Sequence, residues 1–231
     1  MKNLPVVIIC GGKATRLYPR TLTIPKSMIE ICGKPFIHWQ LEQITGREVI
    51  LCVGEYSKQI EEYVKDGSQY KLNVKYSYDG DKLLGTGGAI KKALPLIDSE
   101  GFFILNGDSY LNQLYMGFLN MIYSALPAST MTLFGGKKEE NNIVCEDGIV
   151  KKYNKNNYTD DMKYIDYGLT LINKKAFDGK EGKFDLTEVY MDLIKKGQMI
   201  GLEVKERFHE IGSEEGIKDT EKYIRSKKCN I

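Results

Sequence analysis

The stretch Val6-Val7-Ile8-Ile9-Cys10-Gly11-Gly12-Lys13-Ala14-Thr15-Arg16-Leu17 constrains the chain more than any other. Its apolar start reads as a fully buried strand that breaks into two glycines. Glycines at a strand end let backbone N–H groups approach a ligand that a Cβ would push away. With Arg16 just beyond and Lys26 further on, such a loop suits a polyphosphate. It equally suits an ordinary glycine turn. Two phosphate motifs are excluded. A Walker loop needs Gly-Lys-Ser/Thr, and here Ala14 follows Gly12-Lys13; the dinucleotide pattern needs a third glycine at a spacing the chain lacks.

Beyond Leu17 the chain alternates strand and helix. Met28–Ile31 reads as a short extended piece. Gly33-Lys34 turns it into a helix with Pro35 in its first turn, and the apolar face of Phe36, Ile37, Trp39, Leu41 and Ile44 carries that helix to Thr45. Glu48–Val53 is a buried strand, Ser57 caps a helix through Lys65, and Val74–Tyr78 alternates as a half-buried strand. A helix follows Gly85-Thr86-Gly87-Gly88, and the buried strand Phe102–Leu105 ends in Asn106-Gly107-Asp108-Ser109. This alternation predicts a mostly parallel sheet with helices on both faces and ligands beyond the strands' carboxyl ends. Both glycine turns and Asp108 fall at such ends.

The later chain reads differently. Thr130–Phe134 is a strand. Asn142–Cys145 and Ile149–Tyr153 form a hairpin around Asp147-Gly148, and the polar run from Lys151 to Asp161 reads as a mobile loop. Ile165–Ile172 is a strand, Asp185 and Glu188 form a capping box, Ile200–Lys205 is a late strand, and Ser213 starts the last helix. No repeat or linker is visible, which predicts one domain over residues 1–231, with halves of about 1–112 and 113–231.

Composition narrows the function classes. A net charge of +2 argues against nucleic acid or an anionic membrane surface as partner. No long apolar run suggests a bilayer span, and the chain enters its first strand without a signal peptide, so a cytoplasmic protein is expected. Five dispersed cysteines, none in a C-x-x-C pair, fit reduced thiols better than a disulfide framework or zinc site.

Several polar residues stand out. Asp108, closing a buried strand, is either a turn residue or a ligand for a hard cation. Asp166, within a buried strand, needs a partner. Lys155 sits in a lysine-rich loop where solvation alone accounts for it. Glu210 precedes a helix start, and His209 reads as its partly buried neighbour. Lys137-Lys138-Glu139-Glu140 and Arg225–Lys228 read as solvated surface.

In chain order, Gly11-Gly12 with Thr15-Arg16, Pro25-Lys26, Gly85-Thr86-Gly87-Gly88, Gly107-Asp108, Asn154-Lys155, Asp166-Tyr167-Gly168 and Glu210-Ile211-Gly212-Ser213 resemble the sugar-1-phosphate nucleotidyltransferases. Within that family the chain looks most like the heptose-1-phosphate and mannose-1-phosphate guanylyltransferase group. The resemblance implies a three-layer α/β/α, Rossmann-like fold with a mostly parallel mixed central sheet. It also implies the reaction NTP plus sugar 1-phosphate giving NDP-sugar plus pyrophosphate, for surface polysaccharide precursors, with Mg2+ as cofactor. A CTP- or UTP-dependent enzyme and a catalytically idle regulatory relative are the alternatives, and a homodimer is admitted. Carried onto this chain, Arg16, Lys26 and Asp108 are catalytic. Cys10, Gly11, Gly12, Lys13, Ala14, Thr15, Arg16, Lys26, Asp79, Gly85, Thr86, Gly87 and Asn106 bind the nucleotide. Asn154, Lys155, Asp166 and Gly168 bind the sugar phosphate, and Asp108 with Glu210 holds the metal.

The chain departs from the family pattern at Ala14, where the family has a third glycine, and at Asn154 and Glu210, where it has Glu and Asp. A methyl at position 14 is expected to crowd the phosphates or force φ into the ordinary region. No glutamine precedes Gly85, unlike in relatives that take UTP or dTTP. Asp79, acceptor-only when ionised, suits guanine first and cytosine second.

Overall fold

The computed structural model describes residues 3–12, 14–44, 46–111, 114–125, 128–138 and 140–228. The first apolar run is strand β1 (Val6–Ile9). Then come β2 (Glu30–Ile31), β3 (Lys34–Pro35), α1 (Phe36–Gln43), β4 (Glu48–Val53), α2 (Ser57–Val64), β5 (Asn73–Tyr78), α3 (Gly85–Ala93), β6 (Gly101–Asn106), β7 (Ser109–Tyr110) and α4 (Leu114–Ala125). The second half adds β8 (Ser129–Phe134), β9 (Ile143–Glu146), β10 (Ile149–Tyr153), β11 (Ile165–Asn173), α5 (Leu186–Lys195), β12 (Met199–Val204), β13 (His209–Glu210) and α6 (Glu214–Lys228).

One nine-stranded sheet draws on both halves, in the order β5-β4-β1-β6-β11-β8-β12-β10-β9. The pairings β5-β4-β1-β6 are parallel, and only β11 and β10 run against the other strands. The sheet is therefore mixed and mostly parallel in direction, as expected. Alternate residues of the buried strands feed opposite layers. Val7, Ile50, Cys52 and Ile104 pack with α3 and α5, whereas Ile8, Leu51, Phe103 and Leu105 pack with α1, α2 and α4. A third cluster joins Ile31, Phe36 and Trp39 to Ile217 and Ile224 of α6.

Local chemistry explains three of the element ends. Asp147 and Gly148 both take positive φ, the tight hairpin turn that Asp-Gly favours, between antiparallel β9 and β10. At α5, Asp185 Oδ1 accepts from the Thr187 amide and Glu188 Oε1 from the Asp185 amide, which completes the expected capping box. Ser213 Oγ accepts from the Gly216 amide and begins α6.

Five expectations change. Gly85-Thr86-Gly87-Gly88 is the first turn of α3 rather than a loop before it. Of the piece expected to be extended, Met28–Ile31, Met28 closes a 3₁₀ turn that starts at Lys26, and only Glu30–Ile31 pairs as strand. Pro35 precedes α1 instead of lying within it; the helix ends at Gln43, and Thr45 lies outside the described residues. Ser57 is the first residue of α2 and makes no capping hydrogen bond, because left-handed Tyr56 occupies the cap position. Lys151–Tyr153 belongs to β10, and the loop after it is tied down by Lys138–Asp160 and Lys152–Thr159 contacts of 2.8 Å each. Helix α4 is an element the sequence pattern does not predict. It has no charged residue, and its apolar side chains, exposed Phe118 and Met121 among them, mark no single face.

Packing at the start of β6 depends on that helix. The Tyr123 ring lies where a Gly101 side chain would go, 2.3 Å from the ideal Cβ position, and the Tyr123 hydroxyl accepts from Asn173 Nδ2 at 3.1 Å. Gly101→Ala is expected to cost about 1–3 kcal/mol by overpacking. A chain of this size should then melt several degrees lower. An unchanged melting temperature would mean that Tyr123 does not pack on β6.

Candidate active site

The carboxyl ends of β1, β5 and β6 border a cavity of about 330 Å³. Its lining includes Ile9, Cys10, Gly11, Gly12 and Ala14 after β1, Lys26 and Ser27 from the 3₁₀ turn, Asp79 after β5, and Leu83, Gly85, Thr86 and Ala89 around the start of α3. Asn106, Gly107 and Asp108 after β6 complete the wall, with Lys155 reaching in from the other half. Neighbouring strands in a parallel sheet end side by side, so residues far apart in sequence share one rim.

The tightest approach on this rim is at Gly107. An ideal Cβ there would sit 2.1 Å from the Ile9 carbonyl oxygen, which is backbone and cannot yield. Asp108 next to it accepts from Lys26 Nζ at 2.9 Å. Ile211 N donates to Asp108 O at 3.0 Å, and Ser109 pairs with Glu210 where β7 meets β13. The ladder thus brings the Glu210 backbone alongside Asp108. The Glu210 carboxylate is turned onto its own loop, accepting from the Gly212 amide and from Ser213 Oγ. Thr220 Oγ1 donates to the Glu210 carbonyl, and His209 stacks on Tyr223 while meeting Asp219 at 3.0 Å. His209 is thus a fastening between β13 and α6; burial holds its pKa below the usual value.

Among the described residues no three His, Cys, Asp or Glu side chains cluster into a metal cage. Asp108, in the turn between β6 and β7, presents a hard oxygen donor at the cavity wall, as a magnesium ion that completes its shell with water and phosphate oxygens requires. Glu210 would join it only by releasing its carboxylate from Gly212 and Ser213.

The loop after β1 differs from expectation in one respect. Ala14 adopts φ 49° and ψ 43°, so its methyl does not force the backbone into the ordinary region. The Ala14 carbonyl is held by Thr21 Oγ1 at 2.9 Å. Thr15 and Arg16 lie in the following 3₁₀ turn, both exposed and outside the cavity wall; Lys13 lies outside the described residues. Cys10 is buried, which pushes its thiol up to about 12 and makes it wall rather than nucleophile.

Asp79, expected to meet the base, is 9% exposed and lies 3.5 Å from where a Gly11 Cβ would be. Burial pushes its carboxyl up, opposed by the Leu84 amide and by Lys92. Gly87 does not line the cavity. It leaves room for the Phe184 ring, and its amide donates to the Phe184 carbonyl, so its role is packing. Thr86 does line the cavity and joins the halves: its hydroxyl donates to Asp185 Oδ2 and accepts from the Leu186 amide.

Of the residues expected to bind the sugar phosphate, only Lys155 reaches the cavity wall. The carbonyl oxygen of the Asn154 side chain accepts from the Asn156 and Asn157 amides, so it shapes the loop that carries Lys155. Asp166 finds the partners its position demands, Tyr153 Oη at 3.0 Å and Gly168 N at 2.9 Å. Gly168 backs onto Ser109 and Asn106. Sequence reasoning missed Ile9, Ser27, Leu83, Ala89 and Gly107 as wall residues. Gly107 carried a signal in its place before Asp108; buried Ser27, following Lys26, carried none.

A family profile described as nucleotidyl transferase matches residues 5–152. The D-glycero-alpha-D-manno-heptose 1-phosphate guanylyltransferase of Campylobacter jejuni is 38% identical over 112 residues, 47% of this chain and 49% of that one. The N-acetylmuramate alpha-1-phosphate uridylyltransferase of Neisseria meningitidis is 35% identical over 108 residues, 46% of this chain and 47% of that one. The chain spans about half the length of the curated relatives it matches. The crystal structure of HddC from Yersinia pseudotuberculosis superposes with a TM-score of 0.80 at 26% identity, covering 96% of this chain and 99% of that one.

Left-handed Ala14 generates a prediction. The conformation costs an L-residue about 1–2 kcal/mol, and glycine gives back about 0.4–1 kcal/mol in unfolded-state entropy. Ala14→Gly is therefore expected to melt at the same temperature or slightly higher. A clear fall in melting temperature would show that the methyl makes stabilising contacts.

Proposed function

The chain belongs to the nucleotidyl transferase family, and from that premise we propose that it joins a nucleoside triphosphate to a sugar 1-phosphate, releasing pyrophosphate. The observation that carries the reading is the Lys26–Asp108 pair, 2.9 Å apart, on the wall of a cavity also lined by Gly11, Gly12 and Lys155. An oxygen of the sugar phosphate attacks the α-phosphorus, the new P–O bond forms, and the bond to the bridging oxygen of pyrophosphate breaks. The attacking oxygen is already ionised, so no general base is required. The protein's task is to bring two polyanions together and offset their charge.

In this reading the glycine-rich loop receives the β- and γ-phosphates, and exposed Arg16 swings to them from the next turn. Lys26 offsets charge growing at the α-phosphate, while Lys155 draws in the sugar phosphate. The start of α3 at Gly85 and Thr86 adds the positive end of a helix to the wall. Asp108 and Glu210 would hold magnesium, which supplies further positive charge where the phosphates meet. We take GTP as the nucleotide, with CTP second. Ionised Asp79 accepts from two neighbouring donors on the guanine edge, whereas uracil and thymine offer carbonyl oxygens on both sides of their one donor. The sugar is a heptose or hexose, and the product a precursor for surface polysaccharide. Among the described residues no helix is long and apolar enough to cross a membrane.

A matrix of four NTPs against a panel of sugar 1-phosphates, read by pyrophosphate release, tests the reading. Turnover is expected with GTP and a heptose or hexose 1-phosphate, and Asp79→Ala should erode the base preference. A preference for UTP or dTTP, or one for GTP that survives the substitution, overturns the base assignment; no release with any pair overturns the activity. Lys26→Ala should lower kcat by about two to three orders of magnitude, as removal of a charge-stabilising donor does, with little change in NTP affinity. Asp108→Asn should abolish magnesium-dependent turnover at an unchanged melting temperature; near-normal turnover would make Asp108 a turn residue only.

A further inference from the structure

Gln40 lies inside α1, on a different element from every residue assigned above, and is 3% exposed. Its side-chain nitrogen donates to two backbone carbonyls, Asn106 O at 2.9 Å and Ser109 O at 2.8 Å. Those carbonyls bracket Gly107-Asp108. Both amide hydrogens are thereby used, and the two carbonyls, acceptors only, fix which way the amide points. A buried carbonyl left without a donor is costly, and here one side chain satisfies one on each side of the turn. The turn itself has little freedom, because Gly107 already abuts the Ile9 carbonyl.

We propose that Gln40 is a positioning residue: by clipping the chain before and after Gly107-Asp108, it sets where the Asp108 carboxylate stands relative to Lys26. This deepens the transferase reading and rests on it. Two buried hydrogen bonds to the ends of a tight turn leave the enclosed residue little room to shift. The neighbouring Gln43, on the same helix and also lining the small space behind the turn, makes no bond to it. Removing the Gln40 donors frees the turn to drift, and a misplacement of about 1 Å of a group that positions the reactants can cost about 100-fold in rate.

The test compares Gln40→Met, which keeps length but loses both donors, with Gln40→Asn, which keeps the amide but falls short of the carbonyls. Gln43→Met serves as control. For each, kcat and KM are measured by pyrophosphate release, NTP affinity is measured by calorimetry with and without magnesium, and melting temperature is recorded. Both Gln40 variants are expected to lose at least tenfold in kcat, with KM for NTP within threefold. They should also lose several-fold of the affinity gained on adding magnesium, while metal-free affinity holds. Gln43→Met should leave all of these unchanged at a comparable melting temperature. The proposal is overturned if the Gln40 variants keep wild-type kcat and magnesium-linked affinity. It is also overturned if Gln43→Met loses as much as they do. Should Gln40→Met fail to fold, Gln40→Asn decides by the same readings. Should the wild type release no pyrophosphate with any pair, the transferase reading falls, and the calorimetry alone decides for Gln40.

Discussion

The site depends on a steric fact where β1 and β6 end. The strands pair in register up to Ile9 and Asn106, and the chain leaving β6 must cross directly over the Ile9 carbonyl. Only a residue without a Cβ can do so, since the ideal Cβ would stand 2.1 Å from that oxygen. The crossing at Gly107 delivers Asp108 to the rim beside the loop that leaves β1. The same turn pairs onward with β13, which brings in Glu210 from the far end of the sequence. One backbone approach thus gathers residues from three parts of the chain.

Electrostatics then decides what such a rim can do. Lys26 and Asp108 are each partly exposed, so their contact adds little to stability. Its consequence is orientation: the ammonium group is held at the cavity wall, with the glycine-rich loop to one side and Lys155 reaching in from the other half. Deeper in, burial raises the Asp79 carboxyl, and the Leu84 amide and Lys92 oppose that rise.

The sequence made the architecture legible where a residue's local chemistry matched its global role. Apolar runs became buried strands, Asp147-Gly148 became a tight turn, and Asp185 with Glu188 became a capping box. Helix α4 was hidden because its apolar residues surround it and it carries no charge to mark a solvent face. The site was legible through glycines and charges at strand ends. Residues whose contacts are made by the folded chain were less so. Gly87 reads as part of a ligand loop and also seats Phe184 from across the fold; Asn154 reads as a sugar contact, and its side-chain oxygen holds its own loop. Ala14 shows the limit from the other side, for a family glycine implies a conformation that alanine adopts here at φ 49°. Gln40 is invisible in sequence, being one polar residue in a helix whose targets lie more than sixty residues away.

The central claim is that the rim at the ends of β1 and β6 receives the triphosphate. Hydrogen–deuterium exchange with and without GTP and magnesium tests it most directly. Backbone amides at the glycine-rich loop, the Lys26 turn and the Asn106–Ser109 crossing should slow on adding nucleotide, while those around the separate cavity lined by Lys175 and Lys196 at the other end of the sheet exchange as before. Protection confined to that second cavity, or absent from the glycine-rich loop at saturating nucleotide, would contradict the account.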